Sequence, residues 1–213
     1  MLPQDIQPVY EQIRTEIIEN GYTEGQSLPE IPLAQKYGVK RARIRQILRE
    51  LEHDSLVEII PGKGAFIKSI TAKDLSDIFE MRIALESMAA RLAARRRDDE
   101  ELEKTIALLE QCRNNSSVSS QEEKVKVGEQ IHDFILSSSG NDLILHALEP
   151  LKMQVRRIWR GSYVIPGRID KAFEEHREIL KALKDRNEDL AASSMRDHLS
   201  NAFEEYVREI IYK

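Results

Sequence analysis

The stretch GVKRARIRQILRELEHDSLV, residues 38–57, contains five basic residues between positions 40 and 49, and none of those ten positions is acidic. Apolar residues recur within it at helical spacing, which predicts a helix with one buried stripe. The stripe consists of Ile44, Ile47, Leu48 and Leu51. Arg41, Arg45 and Arg49 stand four positions apart and therefore share another face of the same helix.

The composition of the whole chain limits what this basic helix can do. The 213 residues carry a net charge of -5, and the pI is about 5.7, which argues against indiscriminate coating of nucleic acid. Any contact with DNA must therefore be local. No apolar run approaches the roughly 20 residues that cross a bilayer, and the N-terminus lacks the pattern of a secretory signal. The only cysteine, Cys112, excludes an internal disulfide, so we expect a cytoplasmic protein without a membrane partner.

The elements around the basic helix predict a small DNA-binding domain over residues 1–70. Apolar spacing indicates a first helix that ends near Asn20, and a second short helix covers about 30–37. Two β-rich runs, 56–60 and 65–67, flank a glycine-containing turn at 61–64 and predict a hairpin. Three helices followed by a hairpin describe a winged helix-turn-helix.

Residues 71–213 predict a second, all-α domain of about six helices. Thr71 to Asp74 is a plausible capping box at the start of a long helix through roughly Arg97. Further helices are expected over 99–113, 121–138, 142–161, 169–186 and 188–211. The expected fold class is thus mainly α, with an N-terminal winged helix-turn-helix followed by a helical bundle.

In a winged helix-turn-helix, the third helix can enter the major groove, where arginine suits the two acceptors of guanine, and the wing can approach the backbone. The alternative is that these basic residues are ordinary surface residues that keep the helix soluble and bind nothing. The abrupt absence of acidic residues between 31 and 49 favours DNA. The candidate DNA-binding residues are Lys40, Arg41, Arg43, Arg45, Arg49, Lys63 and Gly64.

The first domain resembles the DNA-binding domain of GntR-type bacterial transcription regulators. Its residues 28–34, 38–51, 56–57 and 62–67 are similar to the family patterns L-x-E-x-x-L-A, G-V-S-R-x-P-V-R-x-A-L-x-x-L, G-L-V and R-G-x-F-V. The resemblance implies that Arg41, Arg45 and Gly64 contact DNA. Lys40, Arg43 and Ser55 depart from the usual Ser, Pro and Gly. Ser55 occupies a position where a left-handed helix cap is expected.

The second domain resembles the helical ligand-binding domain (FCD domain) of the FadR-type branch. The similar runs are R-I-A-L-E from Arg82, I-H at 131–132 followed by S-G-N at 139–141, H-R-E-I-L-K-A from His176, and M-R-D-H-L from Met195. In that branch, an Asp and three His converge on a divalent metal to which carboxylate effectors bind. The resemblance implies that His132, His176 and His198 are metal ligands, with zinc or nickel the expected ion.

Helical register independently points these three histidines inward on different helices, although an inward histidine is more often a satisfied core residue. Gly128 occupies the position of the usual Asp ligand. Glu129, three residues before His132, lies on roughly the same face and is either a substitute ligand or a solvated surface acid.

Arg82 is the first candidate for binding an effector carboxylate, and Arg157 is the second, because a guanidinium bonds both carboxylate oxygens. Arg82 could instead pair with Glu86, one turn away.

The sequence thus predicts a non-enzymatic, homodimeric DNA-binding regulator, a repressor, which reads an inverted repeat and responds to a small carboxylate. A metal-free pocket for an acyl or other apolar ligand is the alternative, and a small helical metalloenzyme is the remote one.

Overall fold

The structure is a computed structural model, and it describes residues 6–19, 22–114, 121–151, 154–156, 165 and 167–208. The chain divides into two compact units between Thr71 and Ala72. The first contains helices α1 (Gln7–Ile18), α2 (Glu30–Tyr37) and α3 (Arg41–His53) and strands β1 (Val57–Ile60) and β2 (Gly64–Ile67). The second contains α4 (Ala72–Arg96), α5 (Asp99–Asn114), α6 (Gln121–Ser138), α7 (Asp142–Leu148), α8 (Arg168–Lys184) and α9 (Glu188–Tyr206).

The first unit is a winged helix-turn-helix. Gly38 ends α2 in the left-handed conformation, with φ of 66°, and thereby separates α2 from α3. The apolar stripe of α3 is fully buried against residues of α1, including Ile13. β1 and β2 pair antiparallel in a register that places Val57 opposite Ile67. The segment at Ser27 adds one further bridge to Phe66 that the sequence pattern did not reveal.

The second unit is an all-α bundle. α4 packs along α9 and α6, and α8 packs against α9. Small residues on α4, such as Ala89 and Ala93, are completely buried and allow close approach of the neighbouring helices. Ile131, Ile179 and Met195 are also fully buried, so one core connects α6, α8 and α9. The predicted fold class, a winged helix-turn-helix followed by a helical bundle, is confirmed.

One predicted helix is shorter than expected. The sequence predicted a continuous helix over 142–161, but α7 ends at Leu148 and a 3-10 turn follows at Glu149–Leu151. Pro150 lies within this turn and has no backbone N–H to continue the α-helical hydrogen bonds. Residues 152–153 and 157–161 of that prediction lie outside the described residues. Among the helices that the structure describes, none is long and apolar enough to cross a membrane.

Candidate functional site

The basic face of α3 is exposed in the first unit. Arg41 is the first residue of the helix, and its side chain is 56% exposed, while that of Arg45 is 53% exposed. Lys40, which precedes the helix, and Arg49 are also exposed, whereas Arg43 is half-buried and donates to Gln46. The buried stripe on the opposite side fixes the helix, so these side chains are presented to solvent as a group.

The tip of the hairpin presents the other two candidate DNA-binding residues. Lys63 and Gly64 are both exposed, and Gly64 has φ of +107°, a conformation that side chains rarely adopt. The turn is closed by the Lys63 N–H, which donates to the carbonyl of Ile60. The tip of the hairpin therefore exposes the Lys63 side chain next to the backbone of Gly64, which no side chain of the described residues covers.

Glu30 links the arginines of α3 to α2. Arg45 Nε donates to both of its carboxylate oxygens, at 2.8 and 2.9 Å, and Arg41 Nε also donates to it. The hydrogen bond from Arg45 and the charge of Arg41 hold the pKa of Glu30 below its usual range. This contact was missed in the sequence, because Glu30 and Arg45 lie on different helices and no spacing rule relates them. Glu30 therefore pairs with the two guanidinium groups at the surface of the first unit.

The three predicted histidines meet inside the bundle. His132 on α6, His176 on α8 and His198 on α9 are each at most 5% exposed. Nε2 of His132 lies 3.2 Å from Nε2 of His198 and 3.3 Å from Nε2 of His176. Among the residues described by the structure, these three form the group whose ligand atoms lie within 4.8 Å of one another.

Two glutamates orient this histidine cluster, defined as His132, His176 and His198. Nδ1 of His132 lies 2.6 Å from Glu86 Oε2, and Nδ1 of His198 lies 2.7 Å from Glu175 Oε2. Carboxylates commonly bind the second nitrogen of metal-ligating histidines and so fix the tautomer. The sequence analysis identified neither glutamate in this role, because pairing across helices depends on tertiary packing.

The hydrogen bonds to the glutamates make the cluster suitable for a cation. When Nδ1–H donates to a carboxylate, a neutral imidazole carries its lone pair on Nε2. The Nε2 lone pairs of His132 and His198 then face each other at 3.2 Å. Two nitrogens bound at about 2.0–2.1 Å to a tetrahedral zinc would lie about 3.3–3.4 Å apart, close to both observed distances. The residues present therefore fit a divalent metal.

Burial and neighbouring charges together set the protonation states of His176, His198 and Glu86. Burial lowers the pKa of His176 and of His198 well below the usual value, and the neighbouring histidines lower both further. Burial raises the pKa of Glu86, but Arg82 and His132 outweigh it and hold that pKa well below its usual range. His176 and His198 are thus neutral imidazoles close to the ionised carboxylate of Glu86, and neutral imidazoles are the form that binds metal.

The cluster opens into a cavity of about 60 Å³, large enough for a few water molecules or a small ligand. Arg82, Glu129 and the three histidines all contribute to its lining, together with Arg168 and Lys124. Glu129 is half-buried and does not belong to the histidine group itself. Its predicted role as a fourth ligand stays a prediction.

Gly128 also lines the cavity and lies directly against His176. A Cβ at this position would lie 3.1 Å from His176 Cε1, which is closer than most Cβ contacts in proteins. The missing side chain at the position of the usual Asp therefore gives space to the His176 ring.

Of the two arginines predicted to bind the effector, the structure describes only Arg82. Arg82 is buried, and its Nε donates to Glu86 Oε1 at 2.6 Å, which is the pairing that the sequence analysis left open. It therefore holds the glutamate that orients His132. Arg157 lies outside the described residues.

Comparison with known proteins assigns both units. Residues 6–67 match the model of the bacterial regulatory proteins of the gntR family, and residues 77–201 match that of the FCD domain. The chain belongs to the GntR family, with an FCD domain. This assignment confirms the resemblance found in the sequence.

Relatives along almost the whole length of this GntR-family chain are named as regulators. The HTH-type transcriptional regulator YdhC of Bacillus subtilis is 28% identical over 90% of this chain and 86% of its own length. The Nta operon transcriptional regulator of Aminobacter aminovorans is 29% identical over 88% of this chain and 87% of its own length. The solved structure of E. coli McbR/YncC shares the fold, with a TM-score of 0.78 at 18% identity and full coverage of both chains. The protein is thus a transcription regulator with a DNA-binding domain, and not an enzyme.

Proposed function

We propose that this regulator is a homodimeric, cytoplasmic repressor that reads an inverted-repeat operator and is controlled by a small carboxylate effector. The observation that supports DNA reading is the exposed arginine face of α3, backed by a fully buried stripe. A dimer with two-fold symmetry presents two such helices, and its operator would repeat the same symmetry. Occupation of a promoter by the dimer would exclude polymerase.

The residues proposed to contact DNA divide into two groups. Arg41 and Arg45, near the N-terminal end of α3, are placed to read base edges, whereas the more peripheral charges would bind phosphates. The second group consists of Lys40, Arg43, Arg49, Lys63 and the backbone of Gly64.

A binding assay with promoter fragments tests this proposal. Arg45→Ala should reduce discrimination between operator and random DNA by roughly 1–3 kcal/mol if the contact is bidentate. Arg177→Ala, which removes a partly exposed arginine of α8, is the matched control and should leave discrimination unchanged. A purified protein that prefers no promoter fragment over random DNA would refute sequence-specific binding.

We further propose that the histidine cluster binds one divalent ion, zinc or nickel, with Glu129 as a possible additional ligand. The supporting observation is the convergence of three Nε2 atoms while Glu86 and Glu175 bind two of the Nδ1 atoms. A metal bound there supplies a positive centre for a carboxylate in the adjoining cavity. The three histidines would hold the ion, and Glu86 and Glu175 would orient two of them.

Metal analysis of protein purified without an affinity tag tests the metal site. We expect close to one equivalent of metal, and less in His176→Ala, while His146→Ala, at an exposed histidine of α7, should be unchanged. A loss of affinity of tenfold or more in Glu129→Gln would assign Glu129 as a ligand. Less than a tenth of an equivalent, with no thermal shift on adding zinc or nickel, would reject the metal.

That negative result would favour the second candidate, a metal-free pocket that binds an acyl or other apolar ligand. Two observations support this candidate. Gly128 stands where the family has its Asp ligand, and the cavity also has apolar lining residues such as Phe173 and Leu199. A thermal shift with short fatty acids but not with metal would support it.

A further inference from the structure

Arg168 is a buried cation of the cavity that the sequence analysis did not identify. It is the first residue of α8, its side chain is 4% exposed, and it lines the cavity together with His176 of the same helix. The N-terminal end of α8 adds a positive partial charge from its free N–H groups. A buried guanidinium in this position requires anionic partners.

The hydrogen bonds of Arg168 leave part of this guanidinium without a partner. Nη2 donates to Glu175 Oε2 at 2.8 Å, and Nε forms an ion pair with Glu205 Oε2 at 3.3 Å. Nη1 is buried and has no hydrogen-bond partner in the structure. An unsatisfied buried donor is costly, so its presence beside a cavity indicates that something else completes it.

The other two cations of the cavity have partners within the protein. Arg82 is bonded to Glu86, and Lys124 Nζ donates to Asp170 Oδ1 at 2.9 Å. Arg168 also contacts Glu175, the carboxylate that orients His198. It therefore connects the cavity to the histidine cluster and retains N–H groups for a further acceptor.

We propose that Nη1 of Arg168 binds the carboxylate group of a small ligand in the cavity, so that Arg168, and not Arg82, is the effector anchor. This inference rests on the proposed carboxylate effector, but it does not depend on which metal the cluster holds. A carboxylate suits this site because an ionised acceptor forms a shorter and stronger hydrogen bond with a guanidinium N–H than a neutral acceptor does. Arg82 remains the residue that positions Glu86 and, through it, His132.

Calorimetric titration of the zinc-loaded protein with acetate and with succinate tests the anchor, with succinamide as the uncharged control. The wild-type protein should bind at least one of the two carboxylates and should bind succinamide much more weakly. Arg168→Gln should weaken carboxylate binding tenfold or more. Arg168→Lys should still weaken carboxylate binding about fivefold, because the charge remains but a single ammonium group cannot place separate donors toward Glu175, Glu205 and the ligand. Lys124→Gln removes one positive charge from the same cavity and should change affinity less than threefold.

Zinc affinity and helical circular dichroism, measured for each variant, show whether the histidine cluster and the fold survive. If Arg168→Gln fails to fold, the carboxylate affinity of Arg168→Lys tests the anchor instead, since this variant keeps a cation between Glu175 and Glu205. A wild-type protein that binds carboxylates and an Arg168 variant that binds them equally well would overturn the anchor but leave the proposed effector class intact. A wild-type protein that binds neither acetate nor succinate would overturn both.

Discussion

Ser55 adopts a left-handed backbone conformation at the end of α3, with φ of 58°. The Leu56 N–H donates to the carbonyl of Leu51 across this residue, as in the usual glycine-capped helix end. A residue with a Cβ is strained in this conformation by about 1 kcal/mol. We therefore expect Ser55→Gly to raise the free energy of unfolding of the first unit by up to about 1 kcal/mol, measured by chemical denaturation.

Ser69 provides the matched control, because it is exposed and does not have a positive φ. Ser69→Gly should leave stability unchanged or lower it slightly, since glycine adds freedom to the unfolded chain. Equal effects of the two substitutions would show that the conformation of Ser55 carries no strain. The sequence predicted this cap, because the family pattern has Gly at that position.

Substitution of Gly128 should affect helix stability and the position of the His176 ring in different ways. Alanine favours a helix interior by as much as about 1 kcal/mol over glycine, but its Cβ would lie 3.1 Å from His176 Cε1. We expect Gly128→Ala to displace the His176 ring by a few tenths of an ångström and to weaken zinc binding roughly tenfold, with little loss of thermal stability. Competition with a chromophoric chelator measures the affinity. Unchanged zinc affinity would mean that the ring position is not critical.

At the scale of elements, Glu30 on α2 competes with DNA for the arginines of α3. It is bonded to Arg41 and Arg45, both of which are exposed, so the pairs contribute little to stability. Their removal should instead free positive charge for phosphates. We expect Glu30→Gln to raise the affinity for random DNA several-fold at low salt, measured by fluorescence anisotropy.

Glu19→Gln is the control for that experiment, because it removes the same charge at the exposed C-terminal end of α1. It should change the affinity for random DNA much less than Glu30→Gln does. If the two variants behave alike, Glu30 acts only through net charge and the contact with the arginines is irrelevant to DNA binding.

The helical bundle should lose stability on mild acidification when no metal is bound. Burial lowers the folded-state pKa of His176 and His198 well below 6.5, so the unfolded chain takes up protons first as the pH falls. Stability is therefore complete above the unfolded pKa and is lost below it, with a limiting slope of about 1.4 kcal/mol per pH unit for each histidine. Calorimetric Tm values of metal-stripped protein between pH 7.5 and 5.5 measure this loss.

Two variants test whether the buried histidines cause this loss of stability at low pH. His198→Gln should reduce the slope, because one buried titrating group is removed, whereas His146→Gln should not, since His146 is exposed on α7. A Tm that does not change over this pH range would mean that the buried histidines keep their ordinary proton affinity.

The sequence predicted helices and inward faces better than contacts between helices. Helical periodicity alone placed His132, His176 and His198 on the inner sides of three helices, and all three are buried. It did not reveal that Glu175 binds His198 and Arg168, because the geometry between α8 and α9 depends on the packed core. The apolar pattern predicted a helix that continues beyond Leu148, but the 3-10 turn that contains Pro150 follows there instead.

At the scale of the whole molecule, each unit has its own hydrophobic core, so a substitution in one core need not disturb the packing of the other. Substitution of Arg168 should leave the core of the winged unit intact. A response to an effector then requires a coupling between the units, and such coupling exists only if the ligand prefers one of two arrangements. The family assignment makes this coupling the central quantity to measure.

Coupling between the sites must be reciprocal. If the zinc-loaded protein binds succinate, a typical coupling of about 1–3 kcal/mol would change operator affinity roughly 5- to 150-fold. Operator DNA must then change succinate affinity by the same factor, which calorimetry with and without the operator duplex measures. Random DNA at equal concentration is the control and should have a smaller effect. Arg168→Gln should weaken succinate binding while leaving ligand-free operator affinity near normal. If succinate binds but changes operator affinity by less than twofold, the two sites are not coupled and succinate does not control DNA binding.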